Sequence, residues 1–219
     1  MVRAVARSFL VFLAVMLGGC AGPGFVAEVT QFHTLPERIE GTRFVLVPAD
    51  EAKGDTLEFA TYASRVVDAL EARGFRQVAR VEDSDVVVRL DYAIGPGTAE
   101  SIARPVYGYD PSRVTHVSGV TRSGERFSAR IYESGGHVPL GYVNETRIVY
   151  RRTLILDMFE AAQWRRGRTK KVFEGRVISI GPEAEPARVI PLMIHALFVD
   201  FPGPNGVTRT IILDSLPPE

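Results

Sequence analysis

Two periodicities divide most of the chain. Thr42–Pro48 (TRFVLVP) sets Phe44, Leu46 and Pro48 against Arg43, Val45 and Val47, the period-two pattern of a mostly buried strand. Phe59, Tyr62, Ala63, Val66, Val67 and Leu70 then recur every three or four positions, which predicts one buried face of a helix. Asp55 with Glu58 three positions on reads as a capping box that opens this helix, and Gly74 closes it. Phe75–Val81 leads out and can carry a short strand. Asp85–Ile94 (DVVVRLDYAI) predicts a further strand, with Val86, Val88, Leu90 and Tyr92 on one face and Val87, Arg89 and Asp91 on the other.

The longest strand pattern is Thr146–Ala161, where Ile148, Tyr150, Leu154, Leu156 and Met158 share a face interrupted by Arg152. A turn around Gly167 in Gln163–Thr169 returns the chain as Lys170–Ile180, its antiparallel partner. Glu183, Glu185 and Pro186 open a second helix, the acids favoured by the helix dipole and the proline by its fixed φ. Val189, Leu192, Met193, Ala196 and Leu197 form its buried side, and Pro191 inside the pattern predicts a late start or a kink. Phe201–Gly206 stops the helix, and Thr208–Leu213 follows as an edge strand.

Two stretches lack either period. Residues 95–145 are rich in Gly, Ser, Arg and Tyr, punctuated by Pro96, Pro105, Pro111 and Pro139, and hold four of the seven tyrosines (Tyr107, Tyr109, Tyr132, Tyr142). A structureless stretch of this length is either functional or disordered; within it, Arg126–Tyr132 can pair as a short strand. Residues 20–40, with Gly22-Pro23-Gly24 and Pro36, read as a tether onto which Phe25, Val29 and Phe32 can dock. The expected architecture is an α+β two-layer sandwich, an antiparallel or mixed sheet of four to five strands with two helices on one face. It forms one domain over 41–214, with an insertion at about 95–145 and a tail at 215–219.

The amino terminus changes the picture. Arg3 and Arg7 precede an uncharged apolar run, Ser8–Leu17, about half the ~20 residues that a membrane-spanning helix needs. A basic start with a short apolar core is the pattern of a secretory leader, here residues 1–19. Leu17-Gly18-Gly19-Cys20 resembles the bacterial lipobox, with cleavage between Gly19 and Cys20. The resemblance implies a diacylglycerol on the Cys20 thiol and an N-linked acyl chain such as palmitate, which together hold a protein to a bilayer where one chain binds reversibly. The bland alternative is a core cysteine that happens to follow a leader. Ala21, rather than Asp, implies by the same analogy the periplasmic face of the outer membrane.

Cys20 is the only cysteine, so intrachain disulfides are excluded. The hydrophobic fraction of 46% suffices for a core. Loss of Arg3 and Arg7 with the leader leaves 24 basic against 26 acidic side chains, a net −2, which gives no general attraction to nucleic acid.

Candidate chemistry is sparse. His33, His116, His137 and His195 are dispersed, with no H-x-x-x-H spacing, and His195 fits a helix surface or core edge. Glu82, Asp83 and Asp85 lack the alternating ligands and central glycine of a calcium loop. Neither G-x-S-x-G nor S-x-x-K occurs, and Gly95-Pro96-Gly97 lacks the Lys-Ser/Thr of a phosphate loop. No catalytic, metal or cofactor residue is therefore assigned. The most suggestive group is Trp164, Arg165, Arg166, Arg168, Lys170 and Lys171 at the hairpin tip. These could contact an acidic envelope protein or lipopolysaccharide phosphates; the bland reading, and the favoured one, is a solvated turn guarding a strand end.

The hairpin KKVFEGRVIS (Lys170–Ser179), the helix VIPLMIHALF (Val189–Phe198) and the ending DFPGPNGVT (Asp200–Thr208) resemble a family of bacterial envelope lipoproteins catalogued as domain of unknown function 4136. The likeness covers about residues 42–94 and 146–213. It implies an α/β envelope lipoprotein and no chemistry. The expected role is a non-enzymatic accessory or binding module of the cell envelope. The alternatives are an enzyme acting on peptidoglycan or lipid through carboxylates such as Asp91 and Asp157, and a purely structural spacer.

Overall fold

The computed structural model describes residues 24–35 and 39–214. The leader, the cleavage pair Gly19-Cys20, Pro36 and the tail at 215–219 lie outside the described residues. Among the described residues the strands are β1 (Phe25–His33), β2 (Arg43–Pro48), β3 (Arg76–Gln77), β4 (Val86–Asp110), β5 (Arg113–Val120), β6 (Arg126–Glu133), β7 (Gly136–Glu160), β8 (Lys171–Gly181) and β9 (Val207–Leu213). The helices are α1 (Glu51–Gly54), α2 (Leu57–Glu71), α3 (Ala161–Trp164) and α4 (Pro186–Phe198).

The four-to-five-stranded α+β sandwich is incorrect. The chain is mostly β, with a seven-stranded mixed sheet in the order β3-β2-β4-β7-β8-β1-β9 and a separate two-stranded sheet, β5-β6. Two segments outside the periodic pattern account for the difference. Phe25–His33, expected within the tether, is an inner strand, antiparallel to β8 on one side and β9 on the other. Gly97–Val149 is built of strands rather than structureless chain, and forms a compact unit distinct from the rest.

In the larger unit, β2 is parallel to both β3 and β4, and α2 lies in the connection between β2 and β4. From β7 onward the pairing is antiparallel, with Leu154 opposite Val177 and Met158 opposite Phe173. Phe44, Val88, Leu90, Leu154, Leu156, Met158, Phe173, Val177 and Val29 turn to one face and pack with Phe59, Tyr62, Val66 and Leu70 of α2 and Ile190, Met193 and Leu197 of α4. Gly175 lets α4 approach, because a Cβ there would stand 2.8 Å from Leu197 Cδ1. Val45, Val87 and Ala161 form a small cluster on the other face.

Polar pins fix β1 in place. Gln31 is buried and its Nε2 donates to the Leu197 carbonyl at 2.8 Å. Ser179 Oγ donates to the Val26 carbonyl at 2.6 Å, and buried Arg152 donates to Ser179 Oγ at 2.8 Å. Arg152 thereby becomes a strut of the helix-facing side of the sheet, its pKa lowered by burial.

The helix start differs by one residue from the expected capping box. Thr56 is the N-cap, its Oγ1 accepting from Phe59 N–H at 3.1 Å, while Asp50 caps the extra helix α1 and leaves Asp55 in the connection. Thr56→Ala should lower stability by about 1 kcal/mol, read as a shifted urea midpoint with unchanged slope. α4 begins at Pro186 and continues through buried Pro191, so the late start is not observed.

Candidate interaction surface

Within the basic tip, Trp164, Arg165, Lys170 and Lys171 have partners in the fold. Ala161 N–H donates to the Asp85 carbonyl at 2.9 Å, seating α3, and the Trp164 ring packs on Phe159 with centroids 5.0 Å apart. Arg165 Nη1 donates to the carbonyls of Val81 at 2.9 Å and Ser84 at 3.3 Å. Lys170 lies 2.7 Å from Glu160, and Lys171 lies 3.0 Å from Asp157 and 3.1 Å from Glu174. Arg166 and Arg168 are exposed, and among the described residues their guanidiniums have no ionic partner. Reversing both charges (Arg166→Glu with Arg168→Glu) should leave the thermal midpoint unchanged within about 0.5 kcal/mol of stability, by calorimetry.

The carboxylates considered for acid–base work are each engaged by cations. Asp157 is 2% exposed, bonded at 2.8 Å by Arg89, whose guanidinium lies 4.8 Å over the Phe159 ring. Burial alone would lower the pKa of the Lys171 ammonium, but its bonds to Asp157 and Glu174 outweigh this and raise it. Asp91 is 3.5 Å from Lys53, which also donates to the Tyr92 carbonyl at 2.8 Å. Among the described residues, no group of three His, Asp, Glu or Cys side chains is gathered for a metal.

A groove of about 560 Å³ between α2 and α4 is lined by Arg65, Asp68, Arg73, His195, Phe198 and Val199. Arg73 stacks on Phe198 with its guanidinium 5.0 Å from the ring centroid, and donates to the carbonyls of Ala69, at 2.7 Å, and of Phe198. It ties the C-terminal ends of both helices, a structural use of the cation, and burial lowers its pKa.

The unit Gly97–Val149 is of another kind. Of its residues only Val149 is buried. Tyr107, Tyr109, Tyr132, Leu140 and Tyr142 stand 60–73% exposed. Its strands are nevertheless well paired. Arg147 bonds Glu100 at 2.8 Å, Arg104 bonds Glu145 at 2.8 Å, and the Tyr109 and His137 rings lie 5.9 Å apart. Positions thus rise on β4 as they fall on β7, an antiparallel ribbon. β5 and β6 form a hairpin in register from Arg113 opposite Glu133 to Val120 opposite Arg126. Its turn is closed by Thr121 N–H to the Glu125 carbonyl at 2.7 Å, and Gly124 takes a φ of +87° that favours glycine.

This register separates two faces of the hairpin. Thr115, Val117 and Gly119 lie with Ile131, Ala129 and Phe127, an uncharged stretch of the face that Arg113 and Glu133 end, and the Phe127 ring crosses directly over Gly119. Val114, His116, Ser118 and Val120 lie with Tyr132, Arg130, Ser128 and Arg126. The sequence marked the tyrosines of this region and the Arg126–Tyr132 strand. It gave no sign of β5, although Val114, Thr115, Val117 and Val120 are residue types that strands favour.

No curated protein matches the chain. Among solved structures, a PDZ domain protein from Parabacteroides distasonis aligns at 9% identity and a TM-score of 0.35, over 86% of this chain and 39% of its own. The chain thus spans well under half the length of that protein. A variant PelC dodecamer from Paraburkholderia phytofirmans aligns at 11% identity and a TM-score of 0.35, over 77% of this chain and 91% of its own. The PelC dodecamer from the same organism gives 14% identity, a TM-score of 0.34 and coverages of 77% and 92%. The family model described as domain of unknown function (DUF4136) matches residues 27–203, a span that takes in most of β1 and all of Gly97–Val149. The chain belongs to that family.

Proposed function

We propose that this protein is a lipoprotein, held on the periplasmic face of the outer membrane through acyl chains on Cys20, that acts as a non-enzymatic accessory module of the envelope and makes its contacts through Gly97–Val149. The observation that carries the reading is a paired β unit with a single buried residue, Val149. Two-stranded ribbons need a packed face for stability of their own, and exposed apolar area beyond a few hundred Å² marks contact surfaces. The anchor rests on the leader pattern and the Leu17–Cys20 motif. A non-enzymatic role is supported by the ion pairs that occupy Asp91 and Asp157.

In-cell crosslinking of the tagged protein followed by mass spectrometry tests this reading. It is run beside Cys20→Ala and beside a variant in which an Asn-Gly turn replaces Gly97–Val149. A defined protein set captured by the anchored chain and lost from both variants is expected. Capture of the same set by the variant lacking Gly97–Val149 would place the contact elsewhere and refute the assignment.

A further inference from the structure

The strands of Gly97–Val149 differ in how their edges are defended. β4 carries Glu100, Arg104 and Pro105 in this unit, and β7 carries Pro139, Glu145 and Arg147. Charges and prolines of this kind discourage a further strand from pairing. β6 carries Arg126, Arg130 and Glu133. In β5, by contrast, the segment from Val114 to Val120 has no charge and no proline, and four of its seven residues are β-branched. β5 belongs to a two-stranded sheet, so only one of its edges is paired. Val114, Val117 and Val120 are 50%, 37% and 62% exposed.

We infer that this edge takes β5 of a second copy of the chain, in an antiparallel pair about a two-fold axis at Val117. The inference rests on the proposed role of Gly97–Val149 as the contact surface and names its partner. Electrostatic register selects β5 for this pairing. A two-fold perpendicular to the sheet keeps each face continuous only where residues of like orientation oppose each other. For β5, centring on Val117 sets Val117 against its own copy, Val114 against Val120, and Arg113 against Thr121, with no like charges opposed. For β6, centring on Arg130 opposes two arginines, and centring on Ala129 opposes Glu125 to Glu133. Like charges directly opposite destabilise a strand pair. Unit charges also favour the chain's own copy over a strongly charged partner, since residues 97–149 hold six Arg and five Asp or Glu. Paired this way, Val117, Phe127, Ala129 and Ile131 of both copies join into one apolar patch at the centre of one face of a four-stranded sheet.

Directed disulfides in cells producing the full anchored chain test the register. Opposed residues of an antiparallel pair have Cα atoms about 4.5–5.5 Å apart, inside the roughly 4.4–6.8 Å range that a disulfide spans. The chain with Cys20 alone is the background. Val117→Cys is expected to form at least roughly tenfold more disulfide homodimer than Val120→Cys, whose copies would lie about 20 Å apart. Val114→Cys and Val120→Cys chains produced together are expected to crosslink to each other, so the result does not hang on one variant. Equal homodimer at 117 and 120, or none at 117 and none between 114 and 120, overturns the pairing. Adducts from Val117→Cys to a different envelope protein would also overturn it, while leaving the proposed role of the unit intact. Absence of every adduct together with unchanged capture by the variant lacking Gly97–Val149 would remove both.

Discussion

Replacing Gly97–Val149 with an Asn-Gly turn should abolish the in-cell crosslinks proposed for the full chain while changing the stability of the remaining unit by less than about 1 kcal/mol. Gly95 and Arg151 already face each other across β4 and β7, at 3.3 Å from a Cβ built on the glycine to the Arg151 carbonyl. A two-residue turn can therefore close the ribbon one step further on. The removed residues contribute almost no core, since all but Val149 are at least partly exposed. Circular dichroism with thermal melting reads the fold and crosslinking reads the contact. Unfolding of the shortened chain would mean that the larger unit depends on the segment; intact capture would mean that the segment is not the contact surface.

Val29→Asp should destabilise the larger unit by about 3–5 kcal/mol, because it places an unpaired carboxylate at a position with 0% exposure. The thermal midpoint should fall by on the order of 10 °C. Phe32→Asp, three residues on along the same strand and 53% exposed, should shift it far less. A tether docked loosely on a finished domain would respond equally and weakly to both. The contrast between the two melting curves therefore tests whether Phe25–His33 is an integral strand.

That strand also shows where sequence pattern runs out. Its inward residues are Ala27, Val29 and Gln31, only one of them a large apolar side chain. Gln31 can be buried because the Leu197 carbonyl accepts from it, a partner 166 residues away that no local pattern reveals. With Gly22-Pro23-Gly24 just before it, the segment looked like linker. By contrast, the two faces of β2 and β4 and the buried stripe of α2 were legible, because each packs against large apolar neighbours and so carries the periodic signature of a core. The β7–β8 hairpin was legible for the same reason.

Gly97–Val149 was illegible as structure because alternation of apolar and polar residues is the imprint of one buried face, and this unit buries neither. The partners of the basic tip were illegible for another reason. Sequence showed adjacent cations, but the carboxylates of Glu160, Asp157 and Glu174 and the carbonyls of Val81 and Ser84 reach them only through the folded sheet. Arg166 and Arg168 are the cations of the tip that have no ionic partner among the described residues.

On the proposed function, Gly97–Val149 is covered when the protein is at work. Backbone hydrogen exchange tests it most directly, comparing the chain anchored in isolated envelopes with the purified chain dispersed singly in detergent. Amides of Val114–Val120 should exchange slowly in the envelope and quickly in the dispersed chain, while those of Val86–Leu90 stay slow in both. Equally fast exchange of Val114–Val120 in both states, with the Val86–Leu90 amides still slow, would contradict it.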